Sequence, residues 1–275
     1  MPHEFDAGYR TEPFRTLCRE YPGTEAYPPS AFRFEWGPIF SRGRLDGTAR
    51  ILVLGQDPAE HEQIARRILV GEAGQRVQGF LAKLGITASY VMVNAYLYSV
   101  LGGQQQAHID DPKIVAYRHR WLDALLVDTQ VEAVVAFGSL ADHAWQTWKA
   151  TPAGSSVDVV YAHGIHPTSP EGETKGKQPA YGKAIERMLK SWNTALTRLH
   201  AKIEHPDDEI PLRRYGKKLV AGDRRRIPDF DLPAGTPTWM QGLAEWAQRG
   251  PADPGSPRRG VISVVVPDSA RTWPD

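Results

Sequence analysis

Two short runs in the chain hold side chains that could do chemistry. Gly55-Gln56-Asp57-Pro58-Ala59 follows directly on the apolar run Ile51-Leu52-Val53-Leu54, and His166-Pro167-Thr168-Ser169-Pro170 follows the apolar stretch from Val157 to Ala162. A carboxylate and an imidazole are the usual groups for moving protons or stabilising charge near neutral pH. Asn94, just after Val91-Met92-Val93, adds a side-chain amide, which donates and accepts at once. Each also admits a plain structural reading. Asp-Pro is ordinary turn chemistry, a loop histidine can be held by backbone hydrogen bonds, and a strand-end Asn can bond its own backbone. His163 and His166 have the spacing of a metal-binding pair, but no third ligand follows at a matching interval, so no metal is expected.

The elements that must position these residues are visible as patterns. Ile51–Leu54, Val91–Val93, Ala133–Phe137 and Val157–Ala162 are short, continuous apolar runs, as strands buried on both faces are. Helical patterns lie between or after them: Gln75 to Leu84, Asp111-Pro112 to about Asp128 with Pro at a first-turn position, a third capped by Ser139 and running to about Trp148, and a long amphipathic one from Pro179 to about His200. Strands alternating with helices predict an α/β fold with a central four-stranded parallel sheet flanked by helices on both faces, a three-layer arrangement. In such sheets functional groups gather beyond the carboxyl ends of the strands. Those ends carry Gln56-Asp57-Pro58, Asn94, Gly138-Ser139 and His163 to His166.

Bulk properties narrow the classes. The chain has 275 residues, 41% of them hydrophobic, enough for one large domain with an extension. No apolar run approaches the roughly 18–20 residues of a membrane span, and Met1 to Asp6 lack the pattern of a secretory signal. A cytoplasmic location is the expectation. The single cysteine, Cys18, cannot form an internal disulfide, a Cys-rich zinc site or an iron–sulfur cluster. The net charge of +1 neither argues for a nucleic-acid partner nor excludes one, since an enzyme gripping a few phosphates needs only a local basic patch. Residues 201–275 differ from the rest. They are rich in Pro, with basic pairs and the triplet Arg224-Arg225-Arg226 among acids, a possible helix from Thr238 to Gln248, and a possible strand over Val261–Val266. The expected organisation is an α/β domain over residues 1–200 with an extension, 201–275, packed on its core.

At this point the chain resembles the uracil-DNA glycosylase superfamily. Gly55-Gln56-Asp57-Pro58 is similar to the water-activating motif of its housekeeping branch, and His166-Pro167-Thr168 to that branch's His-Pro-Ser motif. Val70-Gly71-Glu72-Ala73-Gly74-Gln75 falls at the distance where the iron–sulfur branch has Val-Gly-x-Ala-Gly-Gln, and Tyr90-Val91-Met92-Val93-Asn94 is similar to that branch's strand ending in Asn. The resemblance is to a hybrid of the two branches and spans about residues 35 to 200.

The resemblance implies a monofunctional enzyme that hydrolyses the N-glycosidic bond of a uracil flipped out of single- or double-stranded DNA, leaving an abasic site, as in base excision repair. Asp57 would stabilise positive charge on the sugar and orient or deprotonate water, and His166, as neutral imidazole, would donate to the base carbonyl. Asn94 would read the N3 and O4 edge, with Gln56, Pro58, Ala59 and Leu69 around the base. Gly71, Gly74 and Gln75, Thr168 and Ser169, and Arg66 and Arg67 would approach DNA phosphates or the groove. No cofactor is expected, and the protein would act as a monomer.

The chain departs from the family's patterns in ways that bear on the base. The cluster cysteines are absent. Leu69 stands where the iron–sulfur branch has an aromatic ring to stack on uracil, so either another aromatic, such as one from residues 34–40, would supply the stack or the stacking would be weak. Ala59 stands where the housekeeping branch has a Tyr that blocks the thymine methyl. The same residues therefore also fit a glycosylase for hypoxanthine, xanthine or mismatched thymine, and the fold fits a non-catalytic binder of abasic or damaged DNA.

Overall fold

The computed structural model describes residues 9–242, 246–249 and 262–271. The chain opens with a short helix α1 (Phe14–Arg19) and a two-residue strand β1 (Arg42–Gly43). Then come β2 (Ile51–Gly55), the helices α2 (Glu60–Ala65) and α3 (Glu72–Ala82), and β3 (Tyr90–Asn94). Next are α4 (Pro112–Leu126), β4 (Ala133–Phe137), α5 (Ser139–Lys149), α6 (Pro152–Ser156) and β5 (Val160–Gly164). The helices α7 (Ser169–Thr174), α8 (Ala180–His200) and α9 (Trp239–Gly242) precede a hairpin of β6 (Ala247–Arg249) and β7 (Ile262–Val264).

The main sheet has the order β1-β3-β2-β4-β5. β2, β3, β4 and β5 run parallel, and β1 pairs antiparallel with β3. The sheet is thus mixed and five-stranded, not a four-stranded parallel one. β1 escaped the sequence reading because two residues carry no period and Arg42 is charged. Alternate residues of the central strands feed two cores. Leu52, Leu54, Val91, Val93, Val134 and Ala136 pack with α4 and α5, and Ile51, Val53, Met92 and Val135 pack with α3 and α8. Helices therefore cover both faces, as expected of strands that are apolar at every position.

Several boundaries differ from the sequence reading for identifiable reasons. β5 pairs only with β4, so as an edge strand it need not be apolar throughout. It starts at Val160 rather than Val157 and carries the exposed His163 within it. Ser139 does not cap α5. It is the first helical residue, and the cap position is Gly138 at φ 95°, with no side-chain cap bond. Asp111 does cap α4, accepting from the backbone amides of Lys113 and Ile114. Of the helix expected from Thr238 to Gln248, Trp239–Gly242 is helical, residues 243–245 lie outside the described residues, and Ala247–Arg249 is a strand. That strand pairs Ala247 with Val264, a partner too distant in sequence for local pattern to reveal. The strand expected over Val261–Val266 is confined to Ile262–Val264, and Val261 lies outside the described residues, as do Met1 to Asp6. Among the described residues no helix is long and apolar enough to cross a membrane.

Residues beyond 200 are tied to the α/β core by three contacts among others. One Asp207 oxygen accepts from the amides of Thr87, Ala88 and Ser89 at 2.7, 2.7 and 2.9 Å. Tyr215 packs on Trp192 of α8 with ring centroids 5.6 Å apart. The third is a wholly buried ion pair, Arg42 to Asp231 at 2.5 Å. Tyr90 Oη also donates to that carboxylate, and Arg42 Nε donates to the Ile68 carbonyl at 2.7 Å. Removing one partner of such a pair leaves an uncompensated buried charge, at a cost of about 3–5 kcal/mol. Asp231→Ala should therefore lower unfolding stability by about that much in guanidinium titrations, and the double variant Arg42→Met/Asp231→Leu should recover much of it. A loss in the single variant within about 0.5 kcal/mol of zero would show that the pair does not hold the extension in place.

Candidate active site

β2 sits in the middle of the parallel strands. The chain leaves it toward β3 on one side, then crosses to β4 on the other and moves on to β5. Open α/β sheets form their crevice at such a reversal, outside the carboxyl ends of the two strands that flank it. Here those ends are Gly55-Gln56-Asp57 and Phe137-Gly138-Ser139. Gln56 Oε1 accepts from the Leu140 amide at 3.4 Å. Gly138 fits only as glycine. It has a positive φ, and a Cβ there would lie 2.7 Å from Gln56 Oε1 and 3.2 Å from His166 Cβ. This close approach draws the ends of β2 and β4 and the His166 loop together.

Asp57 and His166 line one open cleft of about 660 Å³. Asp57 is half-buried, and its Oδ2 accepts from the Val100 amide at 3.2 Å. His166 Nδ1 lies 3.3 Å from the Thr168 backbone N–H. A backbone amide can only donate, so Nδ1 is the acceptor and the ring proton resides on Nε2, leaving that nitrogen as a donor. Burial, and secondarily the positive charge of Arg76, push the imidazole down to about 4, against a smaller opposing pull from Glu171. At neutral pH His166 is therefore an uncharged donor.

Arg76 was not singled out by its sequence, because a charged residue inside an amphipathic helix ordinarily faces water. It is fully buried on α3. It donates to the Pro167 carbonyl, to Glu72, and to Glu171 at 2.7 and 3.2 Å. Tyr181 Oη donates to the same Glu171 carboxylate at 2.7 Å. Burial alone would raise the Glu171 carboxyl, but hydrogen bonds from Arg76 and Tyr181 outweigh it and hold the group below its ordinary value. Glu171 belongs to α7, a helix where the sequence suggested a loop. This cluster clamps the residue next to His166 onto α3.

Other cleft acids are occupied in a similar way. Glu62, in α2, accepts from the amides of Ala59 at 3.0 Å and Val70 at 3.1 Å. It ties the segment after Asp57 to the segment before α3. Glu72 also pairs with Arg224 at 2.8 Å. The cleft is completed by Ala59, Glu60, Leu69, Gly71, Ala73 and Thr168, and by Ala247 and Gln248 of β6. No sequence signal marked Ala247 and Gln248, which lie far along the chain from every motif. His61 also lines the cleft. It is buried, packs edge-on to Trp246 with centroids 4.9 Å apart, and keeps an Nε2 without a hydrogen-bond partner among the described residues.

The remaining expected site residues are placed variously. Asn94 stands beside Gly55 in the sheet register, so close that a Cβ on Gly55 would lie 2.2 Å from Asn94 Oδ1. That oxygen is buried without a hydrogen-bond partner among the described residues. Asn94 lines a separate cavity of about 20 Å³ with Phe40, Val93 and Trp121, not the cleft of Asp57. Pro58 is buried. Gly71 is in the cleft, but Gly74 is buried where a Cβ would strike the Leu69 carbonyl at 1.5 Å. Gln75 is likewise buried. Arg66 donates to the Trp36 and Pro38 carbonyls at 2.9 and 2.7 Å, and Arg67 to the Arg66 carbonyl at 2.8 Å. Ser169 Oγ donates to Glu173 at 2.5 Å, and with Gln56, Ser139, His163 and Thr168 it lines a second concavity of about 460 Å³ on the other side of His166. Of the rings expected near the base, Phe34 stacks on Tyr98 and Phe40 on Trp121. Among the described residues no Phe, Tyr or Trp lines the cleft, and no group of three His, Cys, Asp or Glu side chains is placed to hold a metal ion.

Residues 42–202 match the family model described as the Uracil DNA glycosylase superfamily. The comparison with curated proteins finds no match.

The depressed His166 value has a consequence for stability. The unfolded-state imidazole takes up its proton near pH 6.5, while the native ring waits until about pH 4. As pH falls between those values the unfolded state binds more protons, so stability declines. Denaturant unfolding at pH 7 and pH 5 should show a decline of about 1–2 kcal/mol that His166→Gln removes. An equal decline in the variant would refute the assignment.

Proposed function

The chain belongs to the Uracil DNA glycosylase superfamily, and within it we propose a monofunctional DNA glycosylase that hydrolyses the N-glycosidic bond of flipped-out uracil and leaves an abasic site. The observation that carries this reading is the single cleft at the carboxyl edge of the sheet, lined by both Asp57 and His166. Breaking an N-glycosidic bond builds positive charge on the sugar and negative charge on the departing base. A carboxylate near the sugar stabilises the first, and a neutral donor at the base carbonyl stabilises the second. Asp57 takes the first role and orients the attacking water. The His166 Nε2–H takes the second. A neutral imidazole suits it, because it gives the donor without carrying a charge that a neutral base would have to desolvate.

The cleft suits an uncharged base. Glu62, Glu72 and Glu171 are tied to backbone amides or to Arg76, Arg224 and Tyr181. Asn94 stands behind the cleft and not in it, so its amide is not assigned to reading the base. Gln56 and Pro58 shape the approach to the base, and Leu69 gives it apolar contact in place of a ring.

A broader base range is favoured by one observation. The cleft at Ala59 offers only a methyl group, and no aromatic side chain lines it among the described residues. Nothing bulky at that position excludes a 5-methyl group. In release assays with U:G, U:A and T:G duplexes followed by alkaline cleavage, uracil should be released from both of its pairs and 5-substituted uracils should be tolerated. Rejection of every 5-substituted base would remove the broader reading and leave uracil alone.

Asp57→Asn and His166→Ala should each lower single-turnover uracil release on the order of 10²-fold or more. Undiminished rates in both variants would refute the mechanism, and a wild-type protein that binds damaged DNA without releasing any base would be a binder and not an enzyme.

A further inference from the structure

The net charge of +1 conceals a polarised extension. Between residues 210 and 226 stand the pairs Arg213-Arg214 and Lys217-Lys218 and the triplet Arg224-Arg225-Arg226, against one acid, Asp223. Some of these cations are committed. Arg224 pairs with Glu72 at the cleft, Arg226 donates to Thr238 and Gln241, and Arg214 donates to Thr197 at 3.2 Å. Arg213 and Arg225 are exposed and have no carboxylate partner among the described residues. Both line a groove of about 350 Å³ whose walls include Gly79 and Ala82 of α3, the Lys83 that follows it, and Gly222. Among the described residues no acidic side chain lines the groove. Asp223, buried behind it, holds Lys83 at 3.0 Å.

The groove is built on α3, the helix whose first turn also borders the cleft. The Arg225 amide donates to the Gln75 carbonyl at 3.0 Å. Gly79 packs so tightly on the extension that a Cβ there would lie 1.9 Å from the Asp223 carbonyl. α3 itself measures the separation. Glu72 at its start lines the cleft, and Gly79 and Ala82 line the groove. At 1.5 Å of rise per residue that is roughly 10–15 Å. A DNA strand carries one phosphate per roughly 3.4 Å of axis, so the groove lies about three to four nucleotides from the cleft. Arg224, on the cleft rim, stands between them.

We propose that the groove around Arg213 and Arg225 holds the phosphate backbone of substrate DNA, about three to four nucleotides from the base in the cleft. The proposal rests on DNA being the substrate, as set out above, but not on which base is removed. The two guanidiniums are sequence-independent contacts. They set affinity and register along the strand and leave the choice of base to the cleft.

The test is the double charge reversal Arg213→Glu/Arg225→Glu, with Arg213→Gln/Arg225→Gln alongside in case the reversal misfolds. Binding to a uracil-free duplex of about 30 base pairs is followed by anisotropy across a sodium chloride series. Each lost phosphate contact lowers the slope of log K against log salt by about one, so a reduction of about two is expected. KM for uracil in the long duplex should rise on the order of 10-fold. KM for a five-nucleotide substrate with uracil at its centre, which extends only two nucleotides to either side, should stay the same. An unchanged salt slope in both variants would overturn the proposal. So would competition by inorganic phosphate with no effect of the variants on duplex binding, which would make the groove a small-anion site. A reduced slope in a protein that releases no uracil would uphold the groove and refute the uracil reading.

Discussion

A buried guanidinium must have its charge paired, because an unmatched charge in a low-dielectric interior costs several kcal/mol. Arg76 meets this demand by drawing Glu72, Glu171 and the Pro167 carbonyl around itself. That requirement joins α3, α7 and the loop after β5. His166 precedes Pro167, so its position follows from the same cluster. Its protonation follows too, since the Arg76 charge adds to burial in keeping the ring neutral.

The same cluster shapes the electrostatics of the cleft. Several carboxylates crowd its walls, and free they would repel a polyanionic substrate. Glu171 and Glu72 are neutralised by arginines, and Glu62 is spent on two backbone amides. Asp57 is thus set apart in function: it sits at the end of β2, in the crevice made by the reversal of strand order. The cleft combines a carboxylate with a neutral donor, which is the pairing that heterolysis between a sugar and a neutral base requires.

The extension takes part in this arrangement. Asp231 reaches the Arg42 side chain beside the sheet edge, Trp246 meets His61, and Ala247 and Gln248 form part of the cleft wall. The run Arg224-Arg225-Arg226 is laid along α3 by a backbone hydrogen bond to Gln75. A short basic run on an almost neutral chain thereby becomes a directional feature that starts at the cleft rim.

The parallel strands, the helices between them, and the placing of Asp57 and His166 beyond strand ends were legible in the sequence. Continuous apolar runs report burial on both faces, and a parallel sheet collects its polar loops at one edge. The edges of the sheet were less legible. β1 is two residues long and β5 is partly exposed, so neither shows the apolar run that marks a central strand. The family motif containing Gly74 could be seen in the sequence, but its reason could not: the residue makes room for the Leu69 carbonyl. The tertiary structure alone decided that Arg76 is buried, since its partner Glu171 is 95 positions away. It alone set Asn94 behind the cleft and brought Gln248 into it. Local pattern records which face of an element is apolar. It does not record which distant charge or carbonyl meets that face, and in this protein those meetings complete the site.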